Sequence, residues 1–543
     1  MQTKGVKTPW LRAIALTLLL MVVPTASQAQ STGGVASTGA IQTGPLPVTF
    51  NAPVTDLSIK VWGGSVIIQR GYFEGAWYSN LNWMPLKFTY DNFDNSVKTV
   101  TRGRTDYSKV APGVYQDQNS NTLRQTATGF RWNNPSGEWI EYNPAGEIKV
   151  FGNRNGTTAT FQYSGGQTAT TTGVPASEGH ISGILDHFGT QILWFDYDAN
   201  NQLIRIRDAA TRKVEYQWAT ASGSSTLSVL DPNGNTWTYV VANLGASITV
   251  TDPEAHATAR TWFNNGALAS ITYADGSKTT TTQDYDNAKG VFYTNETGPG
   301  GKVTEIWSGL KQDRSRGQIQ REDINGVTVE KQSLDTANRI TTVTDARGLN
   351  TAITRDQWFN ITKTVYPDGS TVSDQYDSTY GNVIQHTDEN GVVAQNSYDT
   401  HGNLLKTIEA LSLTEQRSTE YTYDANGQRI SQTRKGDANT PDAVTRYAYD
   451  NNGNVITVTD PEGGITRYTY DVMGNALTKT DPNGKVWKRA YDNLGHLLSV
   501  TDPLNRITSI AYDKAGLPVS LTDAAGNIST SILNSEWVML HLA

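Results

Sequence analysis

The chain has 543 residues, a formal net charge of −8 and no cysteine. The absence of cysteine excludes a disulfide framework, thiol catalysis and cysteine-ligated zinc, and the acidic balance disfavours a nucleic-acid-binding surface. Aromatic residues make up 9% of the chain, which is typical of a folded protein rather than a disordered one.

Residues 1–29 have the pattern of a secretory signal peptide. Three basic residues precede an apolar run of 11 at residues 13–23, and small residues stand just before Gln30. Since 11 apolar residues are too few to span a bilayer, we expect cleavage before Gln30 and no transmembrane segment in the mature chain. An uncleaved membrane anchor is the alternative. The pattern predicts a protein that is secreted, periplasmic or at the cell surface.

Five further segments follow from composition and repetition. We predict a linker at 30–50, a β-rich leader segment at 51–183, degenerate repeats at 184–334, regular repeats at 335–530 and a non-repeat tail at 531–543.

Several large aromatic residues of the leader segment are candidate contacts for a glycan, because sugar rings stack on aromatic side chains. The alternative is that they pack in a hydrophobic core. The candidates are Trp77, Tyr78, Trp83, Trp132 and Trp139.

A Tyr-Asp pair recurs every 21 residues near the end of the chain, and a glycine follows each aspartate by three positions. Thr-Asp recurs ten residues after each pair, usually before proline, as in Asp481-Pro482. A fixed period of this length indicates a repeat architecture. The repeated residues are Tyr449, Asp450 and Gly453; Tyr470, Asp471 and Gly474; Tyr491, Asp492 and Gly495; and Tyr512, Asp513 and Gly516.

Each period contains two turns with known chemistry. In the first turn, Asp471 takes the opening position of a type I turn and Gly474 takes a left-handed backbone. In the second turn, Asp481, Pro482 and Gly484 occupy the first, second and last positions. The runs between turns are rich in Thr, Val, Ile, Leu and Tyr, which favour strands. A period of 21 leaves no room for a crossover helix, so we predict an all-β fold with tandem hairpins in one long antiparallel sheet.

Alternation within these strands predicts which face is buried. One parity is apolar, with Ile456, Val458, Leu498 and Val500, while the other is smaller and mixed. We expect the apolar parity to be buried. The repeated tyrosines are expected to stack on one another as a packing ladder; a row of sugar-stacking rings is the alternative.

Two periods are longer than the others, with extra residues around 410–419 and 436–443. Insertions at hairpin tips are candidate places for specific contacts. Neutral drift is the alternative.

The Tyr-Asp-x-x-Gly-Asn of 449–454 and of 470–475, followed by Thr-Asp-Pro, resembles the YD-repeat, or Rhs (rearrangement hot spot), family. That family is related to the teneurin shells and to the C components of insecticidal toxin complexes. The resemblance covers about 185–527. It implies a long β-sheet ribbon that spirals into a partial or complete hollow shell, which in bacterial members often encloses a variable C-terminal toxin. Other members have been linked to cell-surface or carbohydrate binding.

The sequence departs from this pattern near its end. Leu533-Asn534 stands where the next Tyr-Asp is expected, no Gly-rich closing segment is found, and no toxin domain follows. The resemblance therefore implies the front part of a shell whose effector is missing from this chain. A complete short product is the alternative.

Motifs for catalysis, phosphate binding and metal binding are lacking. The chain has no Gly-x-Ser-x-Gly, no phosphate-binding loop and no His-Glu-x-x-His. Residues 196–200 resemble the start of a calcium loop, but Asn201 and Arg207 stand at positions that need glycine and glutamate. We predict no catalytic residue, cofactor or metal.

The sequence thus predicts a secreted, non-enzymatic shell or scaffold of the polymorphic-toxin type used in interbacterial competition. Its expected partners are a toxin or effector cargo or an immunity protein. The alternative is a carbohydrate-binding or adhesion module that contacts a surface glycan.

Overall fold

The computed structural model describes residues 49–541, apart from gaps at 52–53, 74–75, 92–95, 104, 118–120, 167–178, 264–266, 287–290, 311–315, 336, 358–359 and 534–538. The predicted signal peptide and nearly all of the predicted linker lie outside the described residues. So does Asn534 in the predicted tail.

The described residues form antiparallel strands throughout, which confirms the predicted all-β fold. They contain no α-helix, only three short 3-10 turns at Leu81–Trp83, Asn243–Gly245 and Pro299–Gly301. The reason is the one that the sequence predicts: successive strands follow one another too closely for a crossover connection.

Five strands at the start of the described chain form two small sheets, here called the N-terminal block (residues 49–78). β1, β4 and β5 pair in the order β1-β4-β5, and β2 pairs with β3. Their bounds are β1 Thr49–Asn51, β2 Leu57–Val61, β3 Gly64–Ile68, β4 Gly71–Phe73 and β5 Ala76–Tyr78.

The next strands begin one long sheet in which each strand pairs with its neighbours in the sequence. The first part comprises β6 Lys87–Tyr90, β7 Val97–Arg102, β8 Thr105–Ala111, β9 Val114–Gln116, β10 Thr122–Thr126, β11 Gly129–Asn133, β12 Trp139–Tyr142, β13 Ile148–Asn153, β14 Gly156–Gly165, β15 Gly179–Asp186, β16 Gln191–Tyr197, β17 Leu203–Asp208, β18 Lys213–Ala221, β19 Ser224–Leu230, β20 Thr236–Ala242, β21 Ser247–Thr251, β22 Ala257–Trp262, β23 Leu268–Thr272, β24 Lys278–Asp286, β25 Val291–Thr297, β26 Val303–Leu310, β27 Arg316–Ile324 and β28 Val327–Asp335.

The regular repeats continue the same sheet to β46, and a last strand pairs with β46. Among the described residues this 41-strand sheet does not close on itself. Its second part comprises β29 Ile340–Asp345, β30 Asn350–Arg355, β31 Ile361–Val365, β32 Thr371–Tyr376, β33 Val383–Thr387, β34 Val393–Tyr398, β35 Leu404–Glu409, β36 Arg417–Tyr423, β37 Arg429–Arg434, β38 Ala443–Tyr449, β39 Val455–Thr459, β40 Ile465–Tyr470, β41 Ala476–Thr480, β42 Val486–Tyr491, β43 Leu497–Thr501, β44 Ile507–Tyr512, β45 Pro518–Thr522, β46 Ile528–Leu533 and β47 Met539–His541.

The sheet coils back on itself, so that later turns lie against earlier ones. Arg154 donates to the carbonyl of Gly402, 248 residues later. The backbone N–H of Lys514 donates to the Glu254 carboxylate, 260 residues earlier. One full coil of the sheet therefore takes about 250 residues, and the N-terminal block contacts both coils.

Nearly all buried apolar side chains of the described residues lie between Phe50 and Val250. They form one contiguous cluster that joins the N-terminal block to the first coil of the sheet. Leu57 and Ile68 of the block and Ile206 of β17 are at most 2% exposed. The block thus supplies the second layer that a sheet needs in order to bury a face.

In the regular repeats, the expectation of one buried apolar face is wrong. Leu498 is 38% exposed and Val519 is 39% exposed, although both belong to the apolar parity. The buried hydrophobic residue among the described positions of 335–530 is Ala476, which belongs to the opposite parity. The reason is that the N-terminal block, which covers the first coil, does not extend over these strands.

Candidate functional site

The aspartate of each Tyr-Asp pair holds its turn together through its side chain. Oδ1 of Asp450 accepts hydrogen bonds from the backbone N–H groups of Asn452 and Asn454, both at 2.9 Å. Its Oδ2 accepts from the Asn454 amide at 2.9 Å. Gly453 closes the turn with φ +80°. Asp471 and Asp492 accept from the same two relative backbone positions, and Asp513 accepts from the N–H of Leu517.

The Thr-Asp-Pro turns at the opposite edge of the sheet use the same bonding. Oδ1 of Asp481 accepts from the N–H groups of Asn483 and Lys485, at 2.9 and 2.8 Å. Pro482 takes the second position and Gly484 adopts φ +79°. Hydrogen bonds that stabilise the ionised carboxylate lower its pKa. The bond from the backbone N–H of Arg506 lowers the pKa of Asp502 in this way.

The two edges differ in their surroundings. A Cβ atom on Gly474 would lie 2.9 Å from Cγ of Lys60, whereas a Cβ on Gly484 would have no atom within 4 Å. The same contrast runs along the regular repeats. Neighbours surround Gly381, Gly402, Gly427, Gly453, Gly474, Gly495 and Gly516 of the Tyr-Asp edge, and open space surrounds Gly348, Gly369, Gly391, Gly463, Gly484 and Gly526 of the other edge.

The Tyr-Asp edge packs against the first coil along what we call the inter-coil seam (residues 60, 154–155, 212, 232–233 and 254 against 402–403, 472, 492–493 and 514). Asn493 donates its N–H to Oδ1 of Asn233 at 3.1 Å and its amide to the carbonyl of Pro232 at 3.0 Å. Arg212 donates to the carbonyls of Asn493 and Ser58, both at 3.0 Å. Nothing in the period of the sequence indicates these long-range contacts.

The repeated tyrosines connect consecutive hairpins through their hydroxyl groups. The Tyr470 hydroxyl donates to the carbonyl of Val455 at 2.8 Å, 15 residues earlier. Tyr449, Tyr491 and Tyr512 bond in the same way to Arg429, Ala476 and Leu497. Burial raises the pKa of Tyr470 to about 12, so the hydroxyl stays a donor at neutral pH.

The expected stacking between periods is wrong for the described tyrosines. The Tyr470 ring contacts Tyr468 on its own strand, with centroids 6.4 Å apart. No ring contact joins the described tyrosines of consecutive periods at 449, 470, 491 and 512. The ladder is thus a ladder of hydrogen bonds to backbone carbonyls, because the strands hold the rings one whole hairpin apart.

A cavity of about 440 Å³ lies between the N-terminal block and the first coil. Trp77, Tyr78 and Trp83, three of the glycan candidates, line it from one side. Tyr197 of β16 and Trp218 of β18 line it from the sheet. We call this space the aromatic cavity.

Trp132 and Trp139 lie elsewhere. Trp132 is buried, donates from Nε1 to the Tyr107 hydroxyl at 2.8 Å and has the Arg102 guanidinium over its ring. Trp139 donates to the carbonyl of Asn153 and lies under Arg131. These contacts favour packing roles for both residues, so the glycan prediction narrows to the residues of the aromatic cavity.

One lining residue of the aromatic cavity, Arg70, belongs to an ion pair without access to solvent. Nη2 of Arg70 lies 2.6 Å from Oδ1 of Asp56, and the two side chains are 2% and 0% exposed. The Tyr216 hydroxyl donates to Oδ2 of Asp56 at 3.3 Å. Nε and Nη1 of Arg70 have no hydrogen-bond acceptor. Burial raises the pKa of Asp56 to about 6 despite the neighbouring Arg70.

Within the described part of the chain, no three histidine or carboxylate side chains are placed to hold a metal ion. Asp196, from the calcium-loop-like segment, is paired with Arg205 at 2.8 Å. No helix in the described ranges has the length and apolar character needed to cross a membrane.

Among solved structures, the chain is similar to that of TcdB2-TccC3-Cdc42, with 12% identity and a TM-score of 0.44, over 76% of this chain and 27% of that one. It is also similar to TcdB2-TccC3, with 12% identity and a TM-score of 0.41, over 86% and 33%. The Photorhabdus luminescens Tc holotoxin pore matches with 13% identity and a TM-score of 0.29, over 77% and 29%. The chain thus spans a third or less of the length of these solved chains.

No curated protein matches the chain. The RHS Repeat family model does match it, over residues 443–465, 449–486 and 491–528. These ranges contain the Tyr-Asp turns and the tyrosine hydrogen bonds described above. The chain therefore contains RHS repeats at residues 443–486 and 491–528.

Proposed function

We propose that this protein is a secreted, non-enzymatic shell scaffold that encloses or displays a toxin or effector for interbacterial competition. The single observation that carries the proposal is the architecture of the regular repeats. In that region the sheet is a single layer, a wall, and does not form one side of a hydrophobic core. Among the described positions of 335–530, the buried hydrophobic residue is Ala476.

A wall of this kind needs support at its edges, because a single sheet layer has little buried surface of its own. The inter-coil seam supplies that support. Its contacts are directed hydrogen bonds between turns, such as those of Asn493 and Arg212, and they leave the sheet faces uncovered. A container has to combine a stable wall with an unfilled interior, and this arrangement fulfils both conditions.

The proposed export rests on the sequence of residues 1–29, and the proposed lack of catalysis rests on the motifs that the sequence lacks. The cargo rests on the family resemblance. The effector, or an immunity protein that accompanies it, is accordingly part of the proposal.

The test is protease protection of a small folded reporter joined after Ala543 of the full chain. Enclosure predicts that the joined reporter is cleaved at least about tenfold more slowly than the free reporter, because cleavage then requires the wall to open. An Arg212→Ala variant, which loses donors to both Asn493 and Ser58, should restore part of the cleavage. Equal cleavage rates for the joined and the free reporter would refute enclosure.

A second candidate function is a carbohydrate-binding or adhesion module. The observation that favours it is the aromatic cavity, because aromatic rings combined with unpaired hydrogen-bond donors are a common composition of ligand sites. Retention of the exported protein on the surface of cells, and its release by soluble glycan, would test this function.

A further inference from the structure

We propose that the aromatic cavity binds a neutral hexopyranose unit of a glycan, with Arg70 as the buried hydrogen-bond donor to a sugar hydroxyl. The inference deepens the second candidate function and does not depend on the shell function.

The aromatic cavity has the size of a ligand site. Its volume of about 440 Å³ lies within the range of about 300–1,000 Å³ that is usual for small-molecule pockets. It is more than ten times the roughly 30 Å³ that one water occupies.

Aromatic rings approach the aromatic cavity from two independent parts of the chain. Trp77 and Tyr78 belong to β5, and Trp83 follows in the 3-10 turn. Tyr197 and Trp218 come from the first coil of the sheet. The carbon-bound hydrogens of a pyranose ring suit such walls, because the faces of aromatic rings carry partial negative charge.

The polar atoms of Tyr197 and Trp218, the two aromatic residues that the sheet supplies, are already engaged with the backbone. The Tyr197 hydroxyl donates to the carbonyl of Ile181 at 2.9 Å, and Nε1 of Trp218 donates to the carbonyl of Leu203 at 2.7 Å. These bonds fix the orientation of the two side chains. Both residues therefore contribute ring surface to the aromatic cavity rather than donors.

Arg70 is the exception, because its Nε and Nη1 atoms are buried without an acceptor. Leaving a buried donor unsatisfied is costly, and for a charged group the cost is higher still. A sugar hydroxyl is an acceptor of the right kind. A ligand that reaches Arg70 would thus relieve a cost that the unliganded protein carries.

The charges around Arg70 favour a neutral sugar over an acidic one. Asp56 already pairs with the guanidinium at 2.6 Å, and Glu147 lines the aromatic cavity as a further carboxylate. Asp231 is close enough to interact electrostatically with Arg70. A uronic or sialic acid would add an anion where the positive charge is already balanced, so we expect it to bind more weakly.

The experiment is a titration of the full chain that follows its tryptophan fluorescence. The probes are maltotriose, cellotriose, mannotriose and N-acetylchitotriose, with trigalacturonic acid as the acidic comparison. We expect saturable quenching by at least one neutral trisaccharide, with a Kd of about 1 mM or tighter, and weaker binding of the acidic one. Failure of every neutral probe to quench up to its solubility limit would overturn the proposal. Tighter binding of trigalacturonic acid would overturn the assignment to a neutral sugar.

Substitutions of lining residues test whether the sugar binds in the aromatic cavity. His180→Ala and Tyr78→Ala remove aromatic surface from the lining, and Arg70→Lys keeps the charge that pairs with Asp56 but loses the extra donors. We expect each to weaken binding by about tenfold or more while the circular dichroism spectrum stays unchanged. Tyr90→Ala is the matched control, since Tyr90 is an exposed tyrosine outside the aromatic cavity.

If Arg70→Lys destabilises the fold, the two lining variants still decide the outcome, because His180 is exposed and Tyr78 only partly buried. Unchanged affinity in both would place binding elsewhere and overturn the proposal. Loss of binding to cells without loss of saccharide binding in solution would count against adhesion but leave the site intact.

Discussion

The first coil and the regular repeats are built from the same hairpins, yet they are stabilised in different ways. In the first coil, Ile206 of β17 is 0% exposed and belongs to a continuous core with the N-terminal block. In the regular repeats, Val500 occupies the corresponding place, opposite Arg489 as Ile206 is opposite Phe195, and it is only partly buried. The burial of an apolar side chain therefore depends on a second layer over the sheet and not on the hairpin that carries it.

The regular repeats lack this second layer and are stabilised by hydrogen bonds instead. From Tyr376 onward, each period has an aspartate that binds its own turn and a tyrosine that binds the previous hairpin. The inter-coil seam adds hydrogen bonds from one coil to the next. We therefore expect the first coil to be sensitive to changes in volume and buried charge, and the repeats to be sensitive to changes in turns and hydrogen bonds.

The largest expected effect is at the buried ion pair of the first coil. Arg70→Met leaves the Asp56 carboxylate buried without its cationic partner, which should lower the free energy of unfolding at neutral pH by about 3–5 kcal/mol. Thermal or urea unfolding measures the loss. Glu215→Gln, which breaks the exposed Lys213–Glu215 pair, is the control and should change it by less than about 1 kcal/mol. Equal effects would mean that Asp56 and Arg70 are not buried as a pair.

The next prediction compares the two regions directly. Ile206→Ala should cost about 2–5 kcal/mol, because it leaves a cavity in a closed core. Leu498→Ala should cost about 1 kcal/mol or less, because that side chain is already partly in water. Hydrogen exchange of the two strands, β17 and β43, reports each loss locally. A cost at Leu498 as large as that at Ile206 would indicate a second layer over the repeats.

The free energy of unfolding of the first coil should depend on pH through the protonation of Asp56. Its folded pKa of about 6 is above the ordinary aspartate value of 3.8, so the folded state binds the proton more tightly. The stabilisation is complete below pH 3.8 and is lost as the pH rises through about 6. Arg70, Tyr216 and Asp231 are the titratable groups that face this carboxyl.

Acidification from pH 7 to pH 5 should therefore stabilise the natural protein relative to Asp56→Asn, by about 1 kcal/mol or more. Melting temperatures of both proteins at the two pH values provide the measurement. If the two proteins respond to pH in parallel, Asp56 does not have a raised pKa.

At the turns, the expected effect depends on the edge. Gly474→Ala and Gly484→Ala impose the same strain, since both glycines have φ near +80° (+84° and +79°). That strain should cost about 1 kcal/mol in each. Gly474→Ala should cost about 1 kcal/mol more, because the new methyl group meets Lys60 of the N-terminal block. Equal melting temperatures for the two variants would show that the inter-coil seam does not constrain this turn.

The smallest effect is expected at the tyrosine hydroxyls. Tyr470→Phe removes the bond to the carbonyl of Val455 and should cost about 1 kcal/mol. Tyr468→Phe is the matched control on the same strand and should be close to neutral, because no hydrogen bond of its hydroxyl is found among the described residues. Hydrogen exchange of β39 and β40 should separate the two variants, and identical exchange would assign the role of Tyr470 to its ring alone.

The turns and strands of a period can be predicted because the residues that determine them lie within that period. Asp471, Gly474 and Pro482 act on a backbone a few residues away, so their spacing was enough to predict turns, strands and an antiparallel sheet. The buried face was not predicted correctly, because alternation reports only the apolarity of a parity and not whether anything covers it. The aromatic cavity was anticipated only in part: Trp77, Tyr78 and Trp83 were candidates, but their convergence with Tyr197 and Trp218 requires the coiled sheet.

The repeat, the turn chemistry and the antiparallel sheet follow from the residues of about one period, since the interactions involved are local. The packing of the N-terminal block against the first coil, and the meeting of Arg70 with Asp56, depend on the folded arrangement of the whole sheet. So does the contact between the turns of Asn233 and Asn493, which lie 260 residues apart. The physical reason is that curvature accumulates over many strands, each adding a small twist. Contacts that depend on this sum have no signature within a single repeat.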